Sequence, residues 1–229
     1  MDSRDKLHFE ELLAARLPTL TGDLVLRISQ FRELVLAENE VQNLTRLISP
    51  HDFLEGHVLD VWELLKSGLL RFPAMDLGSG VGVPGLLAAI FGSGPWILCE
   101  SEGRKAEFLK RTVAELGLSA VSVFAERGED VLRSQKVESV VVRAVGRVEK
   151  IYSWLKPCST WNNLVLFKGP RWEAEWEAFE KSKQKGRLLI QGDHKYQVAG
   201  AAGEDELKKR LIVSLVRSVP RGTEIVLPK

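Results

Sequence analysis

A chain of 229 residues is long enough for one α/β domain with a helical attachment, and 45% apolar with 28% charged residues is an ordinary globular composition. Its longest apolar run, near Leu86–Phe91, is far too short to cross a bilayer, which excludes a helical membrane protein. A net charge of +1 singles out no class of partner, while two cysteines without metal-ligand spacing and no basic-then-apolar leader favour a reduced, cytoplasmic setting.

The first seventy residues read as helices. Leu7, Leu12, Leu13 and Leu17 fit an amphipathic helix over residues 5–17, stopped by Pro18. A second helix, capped by Thr21 or Asp23, runs to about Glu38 with Leu24, Ile28, Phe31 and Val35 on one stripe. A third has Ser49 as N-cap, Pro50 at its first position and Gly68 as C-cap. These three form a helical cap over residues 1–70. His57 and Asp60, three apart on the last helix, are placed to pair with each other.

From Arg71 the rhythm changes, and residues 71–229 read as one domain. Strands near 73–77, 96–99, 121–124, 138–142 and 163–168 alternate with helices over 84–91, 103–116, 127–133, 147–156 and 171–182. That alternation implies right-handed βαβ units around a parallel sheet. "GRLLIQ" and "RLIVSLVR" follow with no long helix between them and predict a closing antiparallel pair. Trp172, Trp176 and Phe179 share one helical face, which is more consistent with core than with a base-stacking platform, and the same helix carries Glu173, Glu175 and Glu177, which would repel RNA. Cys99, in "WILC", reads as a small core residue. Residues 1–70 hold 7 Lys and Arg against 12 Asp and Glu, and the remainder 25 against 19, so an anionic partner would dock on the later part.

The stretch "DLGSGVGVPG", Asp76–Gly85, follows the first strand. Gly80, Gly82 and Gly85 match the dinucleotide spacing G-x-G-x-x-G, and Glu100 lies where a carboxylate would bind a ribose. Gly78, Gly80 and Gly82 after Asp76 equally match the first motif of S-adenosylmethionine-dependent methyltransferases, in which Glu100 would hold the ribose hydroxyls. Both readings need glycine for close backbone approach and a helix N-terminus beyond the loop. Fewer than 65 residues follow Phe167, little for a separate substrate domain, and the terminal antiparallel pair suits a seven-stranded methyltransferase sheet. An NAD-dependent oxidoreductase and a methyltransferase fold that binds RNA without turnover remain alternatives.

Several motifs in order resemble one family, the bacterial small-subunit rRNA guanine-N7 methyltransferases, also called glucose-inhibited division protein B. They are "NLT" (Asn43–Thr45), "HVLD" (His57–Asp60), "DLGSGVGVPG", "ESEGRKAEFL" (Glu100–Leu109), "ERGED" (Glu126–Asp130), "VVRAV" (Val141–Val145) and "FKG" (Phe167–Gly169). The resemblance implies a Rossmann-like α/β class I methyltransferase sheet of seven strands, S-adenosyl-L-methionine as cofactor, and methylation of N7 of a guanine in the 530 loop of 16S rRNA, alone or in the 30S subunit. It implies cofactor contacts at Gly78, Val83, Gly128, Glu129 and Arg143, a ribose contact at Glu100, and polar pocket residues at Asn43, Arg127, Arg143 and Lys168. The chain departs from the family pattern at Glu100, where Asp is usual, at the inverted pair Arg104-Lys105, at Val61, and at Val142, which replaces a serine beside the pocket.

The chemistry explains why no catalytic triad or metal cluster is evident. Guanine N7 has a free lone pair and no proton to remove, so methyl transfer needs proximity, alignment and exclusion of water. Arg143 and Lys168 end predicted strands, where ligands of open α/β sheets collect, and are placed to hold guanine O6 or a phosphate. Arg127 is placed to order the adenine loop or touch RNA, and Asn43 to close the pocket from the cap. No metal, no membrane and a monomeric state are expected.

Overall fold

The computed structural model describes residues 3–200 and 206–218. Helices α1 (Ser3–Arg16) and α2 (Gly22–Gln42) open the chain, followed by α3 (Pro50–Phe53), a π-helical turn (Leu54–Val58) and α4 (Leu59–Lys66). Thr21 caps α2 by accepting the Leu24 amide at 3.3 Å, and Ser49 caps α3 by accepting the Asp52 amide at 3.1 Å. Helix α2 runs past the expected end near Glu38, to Asn43, whose left-handed φ of 49° ends it. Ser67 is the C-cap of α4, and Gly68 follows it at φ +68°.

The rest of the fold is β1 (Ala74–Leu77), α5 (Gly85–Ile90), β2 (Trp96–Cys99), α6 (Gly103–Glu115), β3 (Val121–Phe124), α7 (Gly128–Val131), β4 (Val137–Val142), α8 (Val148–Leu155), β5 (Trp161–Lys168), α9 (Trp172–Lys181), β6 (Leu188–Ala199) and β7 (Leu207–Arg217). The sheet order is β3-β2-β1-β4-β5-β7-β6. The first five strands pair in parallel, while β7 runs antiparallel between β5 and β6. Strand β1 is buried along its whole length, as a central parallel strand covered on both faces must be. Strand β6 extends well beyond "GRLLIQ", because His194, Tyr196 and Val198 continue its alternation on the face toward the helical cap.

One core cluster joins Phe9, Phe31 and Phe53 of the N-terminal helices to Leu86 and Leu98 and to Val141, Val165 and Ile212 of the sheet. A second cluster, on the other face, holds Tyr152, Trp161, Trp172 and Phe179. Trp172 and Phe179 are buried, and Trp176 stacks on Phe179 at 5.2 Å, which gives this helical face to packing. Cys99 is buried, and burial pushes its thiol well above the ordinary range. Val61 and Val142 are buried among apolar neighbours, so neither departure leaves an open polar position. No helix among the described residues is long and apolar enough to cross a membrane, and none of their His, Cys, Asp and Glu side chains group to hold a metal.

Candidate active site

The glycine loop leaves β1 and turns back under the carboxyl end of β2. Glu100, 9% exposed, accepts the Gly80 amide on Oε2 at 3.0 Å and the Glu102 amide on Oε1 at 2.8 Å. Asp76, fully buried, accepts the amide of Gly85 on Oδ2 at 2.8 Å and so ties the start of α5 to β1. Burial pushes the Asp76 carboxyl up to about 7, against the stabilising hydrogen bond from Gly85.

The glycines do different work. Gly80 has φ +54°, and a Cβ there would meet only the Gly78 carbonyl oxygen, at 3.9 Å, so its backbone is approachable. A Cβ on Gly78 would reach Val145 Cγ2 at 3.0 Å, which puts the loop after β4 against this turn. At Gly85 a Cβ would meet Leu98 Cδ2 at 2.5 Å and Asp76 Cβ at 2.8 Å, so this glycine serves helix–strand packing. Gly128 does the same: a Cβ there would lie 2.1 Å from Leu77 Cδ1. Val83 is buried in the main core, which leaves only its backbone for a ligand.

Beyond the loop after β4 lies a cavity of about 860 Å³, lined by Asp60, Arg143, Lys168, Trp172, Tyr196 and Arg210 among others. Ala144, at the turn between Arg143 and Val145, holds a left-handed φ of 58°. Lys168 Nζ donates to Glu175 Oε1 at 2.7 Å and to the Gly146 carbonyl at 3.2 Å. Glu175 also accepts the Val148 amide at 2.6 Å, so one carboxylate fixes both the lysine and the start of α8.

Arg143 is held differently from expectation. Its Nε meets Asp60 Oδ2 at 3.0 Å, one terminal nitrogen meets His57 Nδ1 at 3.0 Å, and the other donates to the Gly56 carbonyl. Each nitrogen of this guanidinium therefore has a protein partner, which joins β4 to the helical cap, while two of its five N–H groups are left over and the side chain still lines the cavity. The expected His57–Asp60 pairing is corrected in the same way: both side chains turn to Arg143 instead. Arginine only donates, so His57 Nδ1 accepts and Nε2 carries the proton toward Thr45 Oγ1 at 3.1 Å. Burial, with the charges of Arg143 and Arg210 added, holds His57 well below its ordinary value and keeps it neutral.

Arg127 is mostly exposed and lies 3.7 Å from Glu129 at the start of α7. Asn43 is exposed, and its left-handed backbone at the end of α2 is the constraint seen there. Neither side chain reaches the lining of the cavity.

Sequence reading missed Tyr196 and Arg210. Asp60 Oδ1 accepts the Tyr196 hydroxyl at 2.6 Å and also a terminal nitrogen of Arg210. Burial, the largest single influence, pulls the Arg210 guanidinium down, but the charge and hydrogen bond of Asp60 together with Tyr196 outweigh it and the net shift is upward. Burial first, then the Asp60 charge and hydrogen bond, raises the Tyr196 phenol. The available signal was strand alternation: Arg210, Ile212 and Ser214 share a face of β7, opposite Tyr196 and His194 on β6.

Residues 25–201 match the profile of a family described as rRNA small subunit methyltransferase G. The chain belongs to this family. A relative of the same name from Sorangium cellulosum is 37% identical over 187 residues, 78% of this chain and 77% of the relative. Another from Rhodopirellula baltica is 36% identical over 158 residues, 68% of each chain. Among solved structures, an O-methyltransferase from Bacillus cereus in complex with SAH superposes with a TM-score of 0.56 at 15% identity, covering 92% of this chain and 97% of that one. A putative RNA methyltransferase from Pyrococcus horikoshii gives 0.53 at 14% identity, covering 82% and 99%. At such identities these two show the shared class I methyltransferase fold.

As a member of the rRNA small subunit methyltransferase G family, the protein is an enzyme, and S-adenosylmethionine is its methyl donor. The nicotinamide reading falls away. The residues present fit the donor. Each Glu100 oxygen accepts one amide and retains a lone pair for a ribose hydroxyl, the Gly80 backbone is open to close approach, and Asp76 Oδ1 is buried without a protein partner.

Proposed function

We propose that this enzyme methylates N7 of a guanine in the 530 loop of 16S rRNA, with the rRNA or the 30S subunit as substrate and the cytoplasm as its place of work. In this reading residues 1–70 cap a methyltransferase domain of residues 71–229, and the protein acts as a monomer. The observation that carries it is the adjacency of two sites: the loop of Arg143–Val145 touches Gly78 on one side and lines the 860 Å³ cavity on the other. A base in that cavity would lie beside a donor seated on Gly78, Gly80, Gly82 and Glu100, with Gly128 and Glu129 on its adenine side.

When bound, S-adenosylmethionine supplies a sulfonium methyl whose carbon takes the N7 lone pair while the carbon–sulfur pair returns to sulfur. No proton moves, so the protein's task is to align, to exclude water and to hold the RNA. Arg210 and Lys168 are two of the cations that line the cavity, with Arg143, Arg171, Lys208 and Lys209. They would grip a phosphate of the target nucleotide rather than guanine O6, because a cation on O6 would withdraw electron density from N7. A guanidinium fork matches phosphate geometry. Arg127 and Asn43, both exposed and outside the lining of the cavity, are left for contacts with more distant RNA.

The test is methyl transfer from labelled S-adenosylmethionine to 30S subunits and to naked 16S rRNA, with the product mapped by mass. Labelled 7-methylguanosine in the 530 loop is the expected result. Transfer to another base or to no RNA would overturn the assignment.

A further inference from the structure

Asp60 occupies an unusual position between the helical cap and the sheet. It sits on α4 and is 3% exposed. Its Oδ2 receives Arg143 from the end of β4, and its Oδ1 receives both Tyr196 from β6 and Arg210 from β7. One carboxylate thus orders two guanidinium groups and a phenol from three strands. The two arginines differ in what remains to them. Arg143 spends its other nitrogens on His57 and Gly56, and its side chain is 16% exposed. Arg210 is 27% exposed and lines the cavity.

We infer that Asp60 is a positioning residue for methyl transfer: it fixes the direction of the Arg210 guanidinium and thereby the phosphate that presents the base. The inference rests on the reading of Arg210 as an RNA contact. A free arginine side chain samples many rotamers, and a fork bonded through one nitrogen to a buried carboxylate keeps its other donors aimed one way. Tyr196 completes the clamp by occupying the same oxygen from the neighbouring strand. Arg143 anchors the carboxylate from below, so that the helical cap and the sheet set the cavity's charge together.

The experiment is a double-mutant cycle on 30S subunits with Asp60→Asn, Arg210→Lys and the double variant. Circular dichroism checks folding, and calorimetry measures S-adenosylmethionine binding. Asp60→Asn is expected to lower kcat about thirtyfold or more while the dissociation constant for the donor stays within about twofold. Added to Arg210→Lys, it should lower kcat by no more than about threefold further, because both changes remove the same alignment. A folded Asp60→Asn enzyme with a wild-type kcat, or two effects that multiply in full, would overturn the inference. If Asp60→Asn does not fold, Asp60→Glu keeps the charge and moves it by one methylene, and the same two criteria apply. A wild-type enzyme that methylates no small-subunit rRNA would instead refute the proposed function.

Discussion

Glu100 Oε2 and the Gly80 amide meet at 3.0 Å, twenty residues apart in the chain, so the carboxylate of the second strand holds the mouth of the glycine loop. The same side chain therefore shapes the loop and offers its remaining lone pairs to a ribose. Glu100→Gln replaces an acceptor-only group with one that carries two N–H donors, one of which must face an amide N–H. A hydrogen bond to a charged group contributes about 1.5–3 kcal/mol, so donor affinity should fall about tenfold to a hundredfold. Calorimetry with S-adenosylmethionine reads this directly, and an unchanged dissociation constant would remove Glu100 from the cofactor site.

Lys168 offers a contrast, because it lines the cavity, which no residue of the glycine loop does, and is fixed by Glu175. Lys168→Ala should lower the rate of methyl transfer to 30S subunits by about tenfold or more, while S-adenosylmethionine affinity stays close to wild type. A rate equal to wild type would exclude the lysine from the reaction.

The neutral His57 gives the stability of the protein a pH dependence. Its folded value lies well below 6.5, so the folded state refuses a proton that the unfolded chain accepts. The contribution is whole above pH 6.5 and is lost as pH falls below it, at up to about 1.4 kcal/mol per pH unit. Asp76 works in the opposite sense. Its folded value of about 7 stands above the ordinary 3.8, so its contribution is whole below 3.8 and lost as pH rises through about 7. His57→Asn puts a carbonyl oxygen near the position of Nδ1 and keeps the acceptor for Arg143. Thermal melts between pH 7.5 and 5 should show that this variant loses less stability on acidification than wild type. Parallel curves for the two proteins would contradict the neutral assignment.

Gly85 and Gly80 separate packing from approach within one motif. Gly85→Ala drives a methyl into Asp76 and Leu98, and overpacking of this kind costs ~1–3 kcal/mol. Gly80→Ala meets no such wall but must hold φ +54°, at a cost of roughly 1–2 kcal/mol. Denaturant unfolding should therefore show both variants destabilised. Donor binding should suffer more in Gly80→Ala, where the new methyl stands on the open side of the loop. Equal donor affinity in the two variants would argue against close approach at Gly80.

Much of this fold was legible in the sequence because its signals are local. Apolar runs of four to six residues placed β1 to β4 within a residue or two, and Thr21 and Ser49 started helices where their side chains satisfy free amides, with Pro50 at a first position that needs no N–H. The glycine loop and Glu100 were equally readable, since a strand, a tight turn and a helix in succession leave few geometries. Only the tertiary structure decided what the charged side chains do. Arg143, expected at the ligand site, also binds Asp60, His57 and Gly56, and Asp60 gathers Arg210 from 150 residues away. Backbone periodicity fixes which face a residue takes, but the partner it meets there depends on strand order. The antiparallel insertion of β7 between β5 and β6 brings Arg210 and Tyr196 to the same buried carboxylate.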